Sequence, residues 1–472
     1  MQELTIAKFG GSTLGVNGSG IPVIIDRIKN LSKDDRKILA VFSAPLTEYN
    51  NKKRSLTDVA LYIGEAYADN RLVDVEILRD VYIDIAKKYM KDQYREEFFN
   101  ILEELYKQVL IALKQAMEYK RFVDVIRARV LAYSGEIAIS YAMKYILKSN
   151  GVKADNVSID EWPIITDDNF EAANFLYNES KERLDGLLAL IDENDIVTIG
   201  GFIGRTIDGL ETTYERGGSD RTAADLAILL NDTYDVSIDL EKDGAVLSAD
   251  PKIVDKDLEH IDYLSYNEAI LAGMFGMKIL DPIAIKEIEE FDLNIPIVIT
   301  DINNPSKRTL IKKESKDSKN PLKIVTGRKS CAIVKVRSDN AWHLLASLRK
   351  ERRYSEFVIL SPYIVDDTDI SRILFLDGIY VRRNERYIKA YDKDAILTYN
   401  RGAITLIGDN MARIPNIASI ASSTVGENDI NILNMDAQEE TSRILIIVED
   451  KNENVENAIR AIHAKRKGII TL

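Results

Sequence analysis

The feature that most restricts this chain is the alternation of short, unbroken apolar runs with longer stretches of helical period. Residues 4–9, 37–42, 195–202, 235–240 and 295–300 are rich in Ile and Val. Runs of that kind, without polar alternation, read as strands buried on both faces, the mark of a parallel sheet covered by helices. Between the first two, Ile21, Ile24, Ile25, Ile28 and Leu31 recur with helical spacing, which predicts a βαβ unit. From about 56 to 146 the pattern is almost wholly helical, a large insertion in an α/β domain. Ser265 and Glu268 have the spacing of a capping box, predicting a helix to Gly276, and Asp281 with Pro282 reads as a second helix start. The polar segment 303–321, with two prolines and several lysines, is taken as a domain boundary.

Beyond it the rhythm changes. A strand at 403–407, a helix at 414–425, strands at 430–434 and 443–449 and a helix at 454–465 make a βαββα run, with 469–472 available as a last strand. A looser copy precedes it at 332–336, 341–350, 357–360 and 373–376. The expected architecture is a mainly parallel sheet sandwiched by helices over residues 1–315, then two small α+β modules at 322–395 and 396–472.

Composition narrows the function. The 472 residues carry 63 Lys and Arg against 76 Asp and Glu, a net charge of −13, so no general positive field draws the chain to nucleic acid or an anionic membrane. Any anionic ligand must be held by local positive charge. No run of about 18 apolar residues is present, so no membrane span is expected. The one cysteine, Cys331, cannot form an internal disulfide or a thiolate cluster, and a reducing cytoplasm is the expected home. The three histidines, His260, His343 and His463, have no ligand-like or nucleophile-like partner in the sequence and read as structural or solvated.

Two glycine-rich segments carry chemistry. Lys8, Gly10, Gly11 and Ser12 sit where the first strand turns toward a helix. Glycines there let backbone N–H groups approach a phosphate, and the lysine adds a charge; a tight turn with a solvated lysine is the alternative. The segment is neither a P-loop nor a dinucleotide fingerprint, for it lacks both spacings. The second segment closes the strand at Gly200 and Gly201 and continues to Arg216, Gly217, Gly218, Ser219 and Asp220 at the start of a helix over 220–231. Arg216 can fork a carboxylate, and Ser219 is placed to cap a helix whose positive end faces an anion.

In order along the chain, KFGGS (8–12), SGE (134–136), ITDDNF (165–170), GFIGR (201–205), TTYERGGSD (212–220) and FGMKILDP (275–282) together resemble the aspartate kinases of the amino-acid kinase superfamily. The resemblance spans essentially the whole chain, because that family also ends in two ACT modules; Gly408, Asn410, Met411 and NDIN (428–431) look like parts of the last. It implies an ATP- and Mg²⁺-dependent phosphorylation of the β-carboxylate of L-aspartate, the first step of lysine, threonine and methionine synthesis, in a homodimer. By their matches, Lys8 and Lys278 would stabilise the transferring phosphoryl group, with Gly10, Gly11 and Ser12 beside it, and Asp220 would orient the lysines or the metal. Arg216 would bind the substrate carboxylate and Glu136 its ammonium. Ser43, Thr57, Thr166, Phe202, Gly217, Gly218 and Ser219 complete the substrate set, Thr57 across an insertion at 48–55. Asp167 and Asp168 read as a turn rather than a metal pair. Leu247, Lys252 and Ile279 join the nucleotide set.

Three positions depart from the family. Glu241 and Lys242 stand where a Thr-Asp pair usually receives the adenosine, Asp281 stands where histidine is common, and the first module turns through residues 337–340 without a glycine, so feedback by lysine or threonine is not implied. Two other readings follow: a regulatory or ligand-binding paralogue that has lost productive use of ATP, and a superfamily member with another acceptor, such as glutamate or a nucleoside monophosphate.

Overall fold

The computed structural model describes the chain apart from residues 34–35, 216, 316–320, 351–355, 439–441 and 471–472; at 349–350, 412, 438 and 469–470 it describes the backbone alone. The chain divides into two compact units, Met1–Ala245 with Ile283–Lys312, and Val246–Pro282 with Lys313–Leu472. Residues 246–282, assigned from the sequence to the domain at 1–315, thus group with the C-terminal part.

The first unit opens with β1 (Glu3–Phe9), the short α1 (Gly11–Leu14), α2 (Ile21–Leu31) and β2 (Lys37–Phe42), with β1 and β2 parallel and Phe9 opposite Phe42. The five apolar residues of α2 singled out by their spacing are all buried. A hairpin of β3 (Leu46–Tyr49) and β4 (Lys52–Ser55) follows. Its two tip residues, Asn50 and Asn51, both have positive φ, as the twist of a two-residue hairpin requires.

The helical insertion is α3 (Leu56–Ala68), α4 (Ile77–Tyr89), α5 (Asp92–Tyr119), α6 (Asp124–Ser134) and α7 (Glu136–Ser149). Then come β5 (Ala154–Asn156), α8 (Tyr177–Lys181), α9 (Asp185–Glu193), β6 (Ile196–Gly200), the paired β7 (Ile203–Arg205) and β8 (Glu211–Thr213), α10 (Gly218–Leu230) and β9 (Asp235–Lys242). After β10 (Tyr263–Ser265) and α11 (Tyr266–Met274), which belong to the second unit, the chain adds α12 (Pro282–Glu290), β11 (Ile297–Asp301) and β12 (Arg308–Lys312).

The sheet of the first unit runs β12-β11-β9-β1-β2-β6-β5, parallel except for β12 against β11. Because β1 has β2 on one side and β9 on the other, the strand order reverses at β1, and the carboxyl ends there open a crevice of the kind that binds ligands in α/β sheets. The boundary segment at 303–321 is partly structured: in β12, Thr309 and Ile311 are buried between more exposed neighbours. That alternation suits a strand buried on one face only, and the surrounding prolines and lysines hid it in the sequence.

The second unit carries the antiparallel sheet β14-β15-β13-β16-β18-β17. Its first βαββα copy is β13 (Ile324–Arg337), α13 (Ser338–Lys350), β14 (Phe357–Val365), β15 (Thr368–Phe375) and the helices α14 (Gly378–Arg383) and α15 (Glu385–Tyr391). The second is β16 (Ile396–Ile407), α16 (Ile417–Glu427), β17 (Ile432–Gln438), β18 (Arg443–Glu449) and α17 (Asn454–Ile470). The long central strands β13 and β16 pair with each other and fuse the copies into one sheet. Each copy keeps its own core, one around Val334, Leu344 and Phe375, the other around Ile404, Ile446 and Ile459.

The last strand expected at 469–472 is not formed at 469–470, where α17 continues; 471–472 lie outside the described residues. The capping box at Ser265 and Glu268 forms, and its helix ends at Met274, two residues earlier than expected.

Candidate active site

The crevice at the carboxyl ends of the strands of the first unit holds a cavity of about 280 Å³ lined by Lys8, Gly11, Ser43, Ala44, Leu46, Ser55, Thr57, Asp58, Glu136, Phe202, Gly217, Gly218 and Ser219. Residues far apart in sequence reach it because each follows a strand or opens a helix. Lys8 is the penultimate residue of β1, Ser43 follows β2, Glu136 opens α7, and Gly217 to Ser219 open α10.

Two glycines are required by geometry. A Cβ on Gly11 would lie 2.5 Å from the Ala44 carbonyl oxygen, so only glycine allows the β1 turn to pass that close. Gly217 has φ of 95° as the N-cap of α10, a conformation costly to a side-chain-bearing residue. Phe202 also adopts a positive φ, 70°. It is held there by a hydrogen bond from its N–H to the Thr222 hydroxyl, 2.8 Å, and one from the Tyr214 N–H to its carbonyl, 3.0 Å. A left-handed aromatic residue of this kind stores about 1–3 kcal/mol of strain.

The charges are arranged in two groups. Glu136 is buried, and its Oε1 accepts the Ala44 N–H at 3.2 Å, while Oε2 has no hydrogen-bond partner among the described residues. Burial raises its pKa to about 7, against the lowering effect of the Ala44 amide. Tyr82, also buried, donates to the Ser134 and Gly135 carbonyls and braces the turn that presents Glu136. On the cationic side, Lys8 Nζ lies 2.8 Å from Asp220 Oδ1 and Lys242 Nζ lies 3.6 Å from Asp220 Oδ2.

Several expected residues stand elsewhere. Ser219 does not cap α10, which begins one residue earlier at Gly218; instead its hydroxyl accepts a 2.9 Å hydrogen bond from Ser43. Thr166 is buried, and its hydroxyl is shared with Thr212, 2.6 Å, and the Asp167 carbonyl, 3.1 Å; it is not part of the cavity wall. Asp167 is spent on Asn174 in the same loop, as the turn reading anticipates. Ser12 is exposed in α1, and Gly10 is its N-cap. Arg216 lies outside the described residues.

Leu247, Lys252, Lys278 and Ile279 belong to the second unit. Leu247 bridges to His260, Lys252 follows the Asp250 turn, Lys278 is exposed beyond α11 and Ile279 is buried.

The sequence reading missed four participants: the Ala44 amide, Ser55 and Asp58 at the start of α3, and Thr13, whose hydroxyl ties α1 to the Glu241 carbonyl at 3.0 Å. It also treated Glu241 and Lys242 as a pair. They point to opposite faces of the sheet, as consecutive strand residues must. Glu241 is buried against Arg27, 2.5 Å away, which also meets Asp239 at 2.8 Å. Burial and the neighbouring Asp239 carboxylate push the Glu241 pKa up.

In the second unit a larger cavity, about 580 Å³, is lined by Gly408, Asp409, Met411, Asn416, Ser419 and Arg443 among others. The first module has no equivalent glycine turn, since β13 runs directly into α13 and the Arg337 N–H is bonded to Asp392. Among the described residues no group of three or more His, Cys, Asp or Glu side chains is placed to hold a metal ion, and no helix is long and apolar enough to cross a membrane.

A sequence profile described as the amino acid kinase family matches residues 3–301. An aspartokinase of Helicobacter pylori is 27% identical over 70% of this chain and 81% of its own length. A bifunctional aspartokinase/homoserine dehydrogenase of Buchnera aphidicola is 24% identical over 98% of this chain, which spans 56% of that relative's length. Among solved structures, E. coli aspartokinase III in complex with aspartate and ADP is similar at a TM-score of 0.76 and 18% identity, covering 98% of this chain and 99% of that one; this likeness is one of fold. With the parallel sheet, the crevice at its reversal point and a family match over most of the chain, the chain belongs to the amino acid kinase family.

Proposed function

We propose that the chain is an aspartate kinase, transferring the γ-phosphoryl group of ATP to the β-carboxylate of L-aspartate to give 4-phospho-L-aspartate. The observation that carries the reading is one cavity with a buried, half-satisfied carboxylate at Glu136 and an ammonium at Lys8. An amino acid needs both: an anion for its ammonium and cations for the carboxylate that reacts.

A β-carboxylate with a pKa near 3.9 is ionised at pH 7 and needs no general base. Its oxygen attacks the γ-phosphorus, the bond to the β-phosphate oxygen breaks, and ADP leaves. The obstacle is repulsion between anions, so fixed cations and N–H donors supply most of the catalysis. Lys8 acts on the transferring group, Asp220 holds Lys8, and Gly217 and Ser219 offer backbone donors at the positive end of α10, while Gly218, whose N–H goes to the Glu215 carbonyl, keeps the turn close to the pocket. Glu136 takes the substrate ammonium, Arg216 its α-carboxylate, and Ser43, Thr57 and Phe202 shape the pocket. Lys252, Lys278, Leu247 and Ile279 serve the nucleotide by their family matches. Mg²⁺, when bound with the nucleotide, would offset the charge of its phosphates, with the Asp220 carboxylate beside Lys8 placed to orient it.

The chain then serves lysine, threonine and methionine synthesis in the cytoplasm, as a homodimer. An amino-acid effector at the ACT-like modules fits the second-module cavity, where Asp409 and Arg443 offer opposite charges. The test is direct. Purified protein with ATP, Mg²⁺ and L-aspartate, trapped with hydroxylamine, gives aspartyl hydroxamate. Aspartate binding without hydroxamate, or faster turnover of glutamate, overturns the proposal.

A further inference from the structure

Strand β9 ends in two charged residues that the sheet sends to opposite faces. Glu241 pairs through one oxygen with Arg27 on the α2 side, and Lys242 stands on the α10 side with Lys8 and Asp220. In register, Lys8 lies opposite Leu240, so Lys8 and Lys242 share that face and converge on one carboxylate. Asp220 is held by Lys8 at 2.8 Å through Oδ1 and by Lys242 at 3.6 Å through Oδ2. One carboxylate cannot neutralise two ammoniums, so this trio keeps a surplus positive charge at the strand ends.

Lys242 is the member placed to use it. Its side chain keeps 26% of its exposure, against 11% for Lys8 and 7% for Asp220. Its longer contact leaves the ammonium free to take a second anion. Burial and the nearby Lys8 lower its pKa while Asp220 and the exposed Asp243 raise it, which is the balance of a cation short of counter-charge.

We propose that Lys242 binds the polyphosphate of the nucleotide: it shares the Asp220 carboxylate with Lys8, and the charge left over receives the β- and γ-phosphates. This assigns to the position a contact with phosphate, in place of the adenosine contact its alignment implies. It rests on the phosphotransfer reading of the same site.

Calorimetric titration of the full-length protein with ADP and with AMP tests it without any acceptor. Wild type is expected to bind ADP at least tenfold more tightly than AMP. Lys242→Met should weaken ADP binding at least tenfold and AMP binding less than threefold, collapsing that preference, while L-aspartate binding stays within twofold. Lys242→Arg should restore the preference, which a merely steric role would not allow, and Lys242→Gln should behave as the methionine variant if the latter fails to fold.

An ADP affinity within twofold of wild type in the neutral variants, or an arginine variant as weak as methionine, overturns the proposal. Wild type that binds ADP but yields no hydroxamate overturns the aspartate reading and leaves the Lys242 comparison standing. Wild type that does not bind ADP overturns both.

Discussion

Under the proposed function, the buried Glu136 carboxyl would take the substrate ammonium, and that role makes binding depend on pH. Because burial holds its pKa at about 7 in the free protein, part of the population is protonated at neutral pH and cannot pair with an ammonium. Aspartate binding must then favour the ionised form, so binding releases a proton below pH 7. The dissociation constant for aspartate is expected to fall up to tenfold per pH unit as pH rises toward 7 and to level off above it. Calorimetry in two buffers of different ionisation enthalpy measures the released proton, and Glu136→Gln should abolish the pH dependence and weaken binding by about 100-fold, the loss of a charge-assisted contact. Lys8→Ala is expected to lower kcat by about 10²–10³ with the aspartate KM changed less than threefold, because its charge matters most as the phosphoryl group transfers; equal kcat in the variant removes Lys8 from that role. Lys8 and the 217–219 turn stand out in the sequence as charge and glycines at strand and helix ends, whereas Glu136 and Thr57 come only from the family resemblance; all of them line the one cavity. Thr166 was not, since its hydroxyl partner Thr212 lies on a strand that the sequence does not pair with it. Nor was the split between Glu241 and Lys242, although period-two alternation contains it.

At the level of elements, the site depends on how helices are aimed rather than on how many there are. The α7 helix begins one residue after Gly135, whose carbonyl, with that of Ser134, accepts from the buried Tyr82 hydroxyl at 2.8 and 2.9 Å. Tyr82 sits on α4, so the helical insertion reaches back to fix the entry of α7 and therefore Glu136. Tyr82→Phe removes the donor and leaves buried carbonyl groups with fewer partners, and should cost about 1–3 kcal/mol of stability. It should also raise the aspartate KM by about three- to tenfold with kcat nearly unchanged, because the nucleotide side is untouched. Denaturant unfolding and steady-state kinetics read the two effects separately, and an unchanged KM would show that α7 holds its aim without this brace. The insertion was legible as a helical block from its period. Its bracing role was not, because a tyrosine on an apolar helix face looks the same whether its hydroxyl meets a carbonyl or water.

For the whole chain, two βαββα copies were readable because each repeats the same order of apolar runs, whereas their fusion through β13 and β16 depends on pairing between distant strands that no local pattern specifies. The strand expected at 469–472 was a misreading at 469–470, where α17 continues: a short apolar run prolongs a helix as readily as it makes a strand. The fused sheet leaves β14 and β17 as its edges. An edge strand with apolar side chains in water invites pairing with another chain unless it is covered. On β14, Ile364 is 70% exposed and Val365 46%, with Ile359 and Tyr363 also open to solvent, and Trp342 on α13 of the same module is 64% exposed. The proposed homodimer gives this apolar strip a cover: a second copy of the same sheet. Sedimentation of the wild type at micromolar concentration should give a mass twice the 53.3 kDa of one chain. Replacing Ile364 and Val365 together by lysine places two like charges on each facing edge and should raise the dimer dissociation constant at least tenfold, shifting the boundary toward the single chain, while thermal unfolding changes little because both side chains are already exposed. A wild type that sediments as one chain at tens of micromolar, or a double variant that stays as fully paired as wild type, would show that β14 is not the surface through which copies associate.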